Sequence, residues 1–329
     1  MIAVSYHDTV NVLQGLGLAS AGPFDRSEWF ELLAKEGGLA PWIAVASDGD
    51  RSVALPLIRH HDVIVPLANW YSFTWRPLAT SGANLETSLR AIARDLAGRA
   101  WRVTLSPLPD EDDSAGLLAR AFRAAGWAVL RETCDSNSIL RVCGRSYADY
   151  LAGRPGPLRT TLSRKAKKLE VAIHSAFAPA AWDAYETIYA SSWKPAEGSP
   201  EMLRRFAEQE GAAGRLRLGI ASHAGRPIAA QLWTVEAGTA FIHKLAHLED
   251  ATKLSGGTVL TAALFERVID TDRVALVDFG TGNDPYKGMW MEELRPRFRL
   301  DCFRPGNPKS WPRLARAGLR KLAPGNRAG

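Results

Sequence analysis

In KLSGGTVLTAALFERV, Lys253 to Val268, a charged segment gives way through two glycines to an apolar pattern of helical period. Leu260, Leu264 and Val268 recur on one helix face. A helix start needs only a capping side chain, so two glycines there require a second reason. Either the turn takes backbone angles that side chains resist, or something must come close to the first-turn N–H groups. Those N–H groups carry the positive end of the helix dipole, so a close neighbour there is expected to be an anion.

Working outward, PEMLRRFAEQEG reads as a helix, and RLRLGIAS, PIAAQLWTVEAG and TAFIHKLAHL as three strands joined by turns. The glycine-opened helix follows, then VALVDFG as a short buried strand and NDPYKGMWMEEL as a helix, with Asp284 its N-cap and Pro285 its first residue. RFRLDCFRP closes the series as a strand. The first half repeats this order, with PWIAVASDGD, SVALPLIRH and DVIVPLANWYSFTW as strands and NLETSLRAIARDLAG as a helix. WRVTLSPL, AGLLARAFRAAGW and AVLRETC complete it as strand, helix and strand. Two copies of a mixed α/β domain account for the length of 329 residues. The expected divisions are residues 1–145, 146–308 and a basic amphipathic tail, 309–329.

Composition sets the outer bounds. An apolar content of 46% with 23% charged residues is that of a folded protein. No run approaches the roughly 20 apolar residues of a membrane span, and MIAVSYHDTVNVLQGLGLAS lacks the basic start and apolar core of a secretory signal. Cys134, Cys143 and Cys302 have no metal-type spacing and read as reduced thiols, so a cytoplasmic protein without a metal is expected. The net charge of +6 concentrates in RTTLSRKAKKLE (Arg159 to Glu170) and in the tail. Neither segment has a zinc-finger or RNA-recognition signature, so no DNA partner is expected, and an anionic cofactor or membrane face fits better.

The second half, from about Arg159 to Pro305, resembles the GNAT-like acyltransferase family often found beside cellulose and exopolysaccharide genes (CelD-like). That family is related to the Fem-type peptidyltransferases. The resemblance rests on LSRKAKKLE, SSW, LSGGTVL and, most specifically, DFGTGNDPYKGMW. It implies two tandem GNAT-like domains, each a mixed, mostly antiparallel sheet flanked by helices. The second copy is then expected to hold an acyl-CoA donor, with Lys253, Ser255, Gly256, Gly257 and Thr258 at its pyrophosphate. WRPLATSGANLE in the first half has Ser81-Gly82 but no paired pattern, so one donor site per chain is expected.

Amide formation from a thioester needs an amine that loses its proton, a stabilised oxyanion and a protonated leaving thiolate. The resemblance places Tyr286, after the fifth strand, as the acid that meets the thiolate, with Lys287 beside it for a cofactor phosphate. His243 and His247 stand four apart on one strand and are expected to share a face, as candidate bases. Each also reads as a structural histidine, and Asp278 at the end of its strand is the next candidate. Trp193 of SSW is expected on the acceptor side, and Arg164 and Lys168, one turn apart on a helix, as contacts for an acidic acceptor or lipid head group. His60-His61-Asp62 reads as a surface turn.

The eleven tryptophans and the tail WPRLARAGLRKL, with Trp311, Leu314, Leu319 and Leu322 among basic residues, favour a lipid-related amine. The tail is also expected to contact an anionic membrane, on its inner face. Amino sugars of envelope polysaccharide fit equally. Two readings stand beside acyl-CoA-dependent N-acyl transfer. One is aminoacyl transfer from charged tRNA, as in the Fem group, and the other a non-catalytic protein on the membrane face.

Overall fold

The computed structural model describes residues 2–322, with side chains to residue 319. Contacts divide the chain into two units, Met1–Asp135 with Pro296–Gly329, and Ser136–Arg295. In chain order the first half contains β1 (Ala3–His7), α1 (Asn11–Gly15), α2 (Ser27–Lys35), β2 (Trp42–Asp48), β3 (Arg51–His60), β4 (Val63–Pro66), β5 (Leu78–Ala79), α3 (Leu85–Leu96), β6 (Arg102–Leu108), α4 (Ser114–Ala124) and β7 (Ala128–Arg141). There follow α5 (Tyr147–Ala152), α6 (Gly156–Lys165), β8 (Glu170–His174), α7 (Pro179–Ala190), α8 (Pro200–Ala212), β9 (Leu216–His223), β10 (Arg226–Glu236) and β11 (Thr239–His247). The chain continues as α9 (Gly256–Glu266), β12 (Leu276–Thr281), α10 (Pro285–Trp290), β13 (Glu293–Phe303) and α11 (Trp311–Leu322).

The repeated order holds in both units. Strands β2, β3 and β4 form an antiparallel meander, α3 crosses over, and β6 returns parallel to β4. In the second unit β9, β10 and β11 form the meander, α9 crosses over, and β12 returns parallel to β11. The last strand of each is exchanged. β7, which follows α4, pairs with β12 through Asn137 to Arg141, while β13, which follows α10, pairs with β6 through Phe298 to Phe303. The units therefore divide inside two long strands, where reading by elements placed the divisions between elements, after 145 and 308.

The apolar periodicities bury as their spacing requires. Leu260 and Leu264 of α9 are fully buried, with Val268 held inward by the widened turn Arg267–Thr271. Beneath them Gly219 of β9 has no side chain, and a Cβ there would lie 2.8 Å from Leu260. Trp233, Phe265 and Trp290 complete this core with stacked and edge-on rings. Helices α7 and α8 cover the opposite face of the meander. Three expectations change in extent. DVIVPLANWYSFTW is a strand only over Val63–Pro66, and NDPYKGMWMEEL is helical only over Pro285–Trp290. α6 ends at Lys165, a single tighter turn carries Ala166–Lys168, and β8 begins at Glu170, so Arg164 and Lys168 do not share an α-helix.

Candidate functional site

The first turn of α9 lies at the end of β11. Ser255, before it, takes the left-handed conformation (φ 57°) and leaves the helix without a side-chain cap. No acidic residue stands in that turn. The corresponding helix of the first unit differs on both counts. There the Thr87 N–H donates to Asn84 Oδ1 at 3.1 Å, and Glu86 stands in the first turn. α9 thus presents unsatisfied N–H groups and positive potential, which α3 has cancelled.

The two glycines have separate reasons. Gly256 is not left-handed; a Cβ on it would lie 3.0 Å from Ile228 Cδ1 and 3.3 Å from Ala229 Cβ, so it lets the helix press onto β10. A Cβ on Gly257 would meet only His247 Cδ2, at the ordinary distance of 3.4 Å. Gly257 is therefore dispensable for packing. Thr258 is partly exposed in the same turn, and Lys253 is exposed before it. The Lys165 ammonium donates to the Lys253 carbonyl at 3.0 Å, so Lys165 borders the turn, while Arg164 and Lys168 are exposed.

Tyr286, on α10, reaches this turn. Its hydroxyl is 2.8 Å from Thr261 Oγ1 and also lies 3.5 Å from the Gly257 carbonyl. Thr261 donates to that same carbonyl at 2.8 Å. Gln231 Nε2 donates to it at 3.0 Å and to Thr261 at 2.7 Å, and Trp233 Nε1 donates to Gln231 Oε1. This buried chain fixes the tyrosine hydroxyl against the first turn of α9. Burial pushes the phenol up to about 12, the Thr261 hydrogen bond opposing the shift, so the hydroxyl keeps its proton at neutral pH. Asp284 caps α10 by accepting from the Tyr286 N–H at 2.8 Å, and the Lys287 ammonium donates to the Thr281 carbonyl. Gln231, a lone amide within PIAAQLWTV, was the available sequence signal for this network.

Between α9 and α10 the parallel strands separate. β11 and β12 pair only from Thr239/Leu276 to Phe241/Asp278, while β11 runs on to His247. A bulge lies at the top of the paired stretch. Leu232 faces Lys244 and Trp233 faces Ile242, so one strand holds an extra residue, His243. The extra residue reverses the alternation that placed His243 and His247 on one face. His247 lies on the α9 side, beside Gly257 and 4.4 Å from the Trp193 ring. His243 lies on the α8 side, 5.0 Å from the Phe206 ring, with Nε2 2.8 Å from Thr234 Oγ1. The two expected bases therefore flank opposite mouths of the gap.

Asp278 is fully engaged. Its Oδ1 accepts from Asn137 Nδ2 at 2.6 Å and from the Gly280 N–H at 2.8 Å, and its Oδ2 accepts from Arg295 Nη2 at 3.1 Å. This carboxylate fastens β12 to β7 and β13 and is poorly placed to take a proton. On the α7 side, Lys244 is buried, 2.9 Å from Glu197 and 5.3 Å from the Tyr189 ring. The exposed Trp193 is followed by Lys194, whose Nζ lies 5.7 Å from that ring. Glu197 was not singled out in the sequence. His60-His61-Asp62 forms the β3–β4 turn, where Asp62 pairs with Lys309. A groove of about 610 Å³, lined by Ile188, Pro227 and Leu248 among others, contains none of the groups around Tyr286.

The sheet thus opens between parallel strands, with an uncapped helix on one side and a proton-bearing tyrosine across from it. Residues 157–288, within the second unit, match the family model described as an acetyltransferase (GNAT) domain. Among solved structures, FemX superposes with a TM-score of 0.61 at 9% identity, covering 90% of this chain and 96% of that one. L-PGS from Bacillus licheniformis gives 0.55 at 13%, covering 92% and 98%. A tandem GNAT protein from the clavulanic acid biosynthesis pathway gives 0.53 at 14%, covering 91% and 98%. At such identities these likenesses concern the fold. No curated protein matches the chain.

Proposed function

We propose that the second unit transfers an acyl group from a coenzyme A thioester to an amine, with the donor pyrophosphate on the first turn of α9. The observation that supports this most is the contrast between α9, uncapped and free of acidic residues in its first turn, and the self-capped α3. The acceptor enters from the α7/α8 side. Its nitrogen attacks the thioester carbonyl, and its proton passes to His243. The C–S bond then breaks, and the sulfur takes the Tyr286 proton to leave as a thiol. The products are an amide and free coenzyme A, with the His243 proton returned through solvent to Tyr286.

The variant that tests this is Thr258→Glu. A carboxylate in the first helical turn favours the helix itself but repels a pyrophosphate. Coenzyme A at 100 times its Kd raises the stability of the folded wild type by about 2.7 kcal/mol. The Thr258→Glu protein is expected to fold and to lose that shift. An unchanged shift removes the donor from this turn.

Aminoacyl transfer from charged tRNA remains the second reading, and one observation favours it. The exposed basic residues Arg159, Arg164, Lys167 and Lys168 continue from Lys165, which borders the donor turn. Binding of tRNA that weakens steeply with salt, together with no response to coenzyme A, selects that reading. A lipid-related amine acceptor and peripheral contact of α11 with an anionic membrane complete the proposal. Among the described residues no helix is long and apolar enough to cross a membrane.

A further inference from the structure

Resting on the acyl-transfer reading, we infer that the site selects its donor by a second phosphate: Lys165 receives the 3′-phosphate that coenzyme A carries on its adenosine. The helix that holds this lysine packs on the donor side. α6 lies against α9, and its buried residues Leu158 and Leu162 belong to the core that contains Leu260 and Leu264. Lys165 follows them on the same helix face, so its methylene stem runs along the packed side and its ammonium emerges at the border. There Nζ donates to the Lys253 carbonyl at 3.0 Å, just ahead of Ser255 and the uncapped turn. An ammonium has three N–H donors, and the other two find no partner among the described residues.

The surroundings are positive and uncompensated. No acidic residue stands between Asp149 and Glu170, a stretch that holds Arg154, Arg159, Arg164, Lys165, Lys167 and Lys168. Arg154 is held by Glu292, but none of the others makes an ion pair among the described residues, and neither does Lys253. Elsewhere in the second unit Arg145, Arg215, Arg217 and Lys244 are each held by a carboxylate. The dipole of α6 favours cations in its last turn, which explains a charge at Arg164 and Lys165 but not the tether of Lys165 to Lys253. The chemistry that matches is a phosphate one sugar away from the pyrophosphate. Coenzyme A carries both on one ribose, so a pyrophosphate on the first turn of α9 brings the 3′-phosphate beside that turn. Charged tRNA has no phosphate there, because its terminal ribose carries the aminoacyl ester. The acceptor path lies across the sheet, under α7 and α8. Arg164 and Lys168, read from the sequence as acceptor contacts, therefore add to the positive potential on the donor side.

Isothermal titration calorimetry at fixed ionic strength tests this, with coenzyme A, dephospho-coenzyme A and tRNA as ligands of the wild type, Lys165→Gln and Lys167→Gln. The wild type is expected to bind coenzyme A about tenfold tighter than dephospho-coenzyme A, the worth of one charge-assisted hydrogen bond. Lys165→Gln keeps a donor for the Lys253 carbonyl and is expected to bring that ratio to about one, by weakening coenzyme A alone. Lys167→Gln, on the exposed turn beyond, is expected to leave most of the ratio in place. Equal affinity of the wild type for the two coenzymes overturns the inference and leaves the acyl-transfer reading standing. So does a Lys165→Gln protein that weakens both coenzymes equally, which marks a structural lysine. Equal losses in the two variants put a diffuse field in place of the contact and overturn it as well. Failure to bind either coenzyme removes the acyl-transfer reading and the inference with it, and salt-sensitive binding of tRNA then names the donor.

Discussion

The paired substitutions Gly256→Ala and Gly257→Ala separate packing from ligand access at the start of α9. At Gly256 the new methyl lies 3.0 and 3.2 Å from Ile228 Cδ1 and Cγ1 and 3.3 Å from Ala229 Cβ. Ile228 is buried, and the Ala229 methyl is fixed to the strand, so neither neighbour gives way freely. Overpacking a filled site costs ~1–3 kcal/mol. Alanine in place of glycine returns ~1 kcal/mol in a helix, leaving a net loss of up to about 2 kcal/mol. For a unit of this size that is a fall in Tm of up to about 8 °C. Gly257→Ala meets one ring carbon at 3.4 Å, so its Tm is expected within ~2 °C of wild type. Thermal unfolding by circular dichroism, with and without coenzyme A, measures both. Equal Tm values for the two variants, or a greater loss at Gly257, refute the assignment of Gly256 to helix–strand contact.

Tyr286→Phe is expected to lower kcat by about 10²–10⁴ if the hydroxyl protonates the leaving thiolate, while removing one hydrogen bond costs stability only ~1 kcal/mol. Because the phenol is pushed up to about 12, the rate shows no alkaline limb from it between pH 6 and 9. Its contribution to stability is full below pH 10 and is lost as pH rises from 10 through 12, since the unfolded chain releases the proton first. Asp278→Ala strands Arg295 and Asn137 and is expected to cost about 3–5 kcal/mol in urea unfolding. A stable, inactive Asp278→Ala protein makes the carboxylate a base after all. α11 exposes Trp311, Leu319, Arg313 and Arg316, so the protein is expected to co-sediment with vesicles one-third phosphatidylglycerol and to release in high salt. Unchanged binding by the double variant Arg313→Gln, Arg316→Gln removes α11 from that contact.

The helix starts around the candidate site were legible because they depend on local chemistry. Gly-Gly before an apolar period marks the start of α9, and Asp284-Pro285 marks the helix that carries Tyr286. His243 was legible as a candidate but not its direction, because one inserted residue in β11 reverses every side chain beyond it. The tail reading extends to residues 323–329, which lie outside the described residues.

By itself the sequence determined the mixed α/β class, the repeated order of elements and the position of the glycine-opened helix α9. These follow from periodicity, turn residues and capping, each acting within a few residues of chain. Tertiary structure alone decided three things. It exchanged the last strands, since β7 pairs with β12 and β13 with β6. It turned the two histidines apart, because the bulge is a property of a pair of strands. It gave Asp278 to Arg295, because the partners of a charge are chosen by proximity in space.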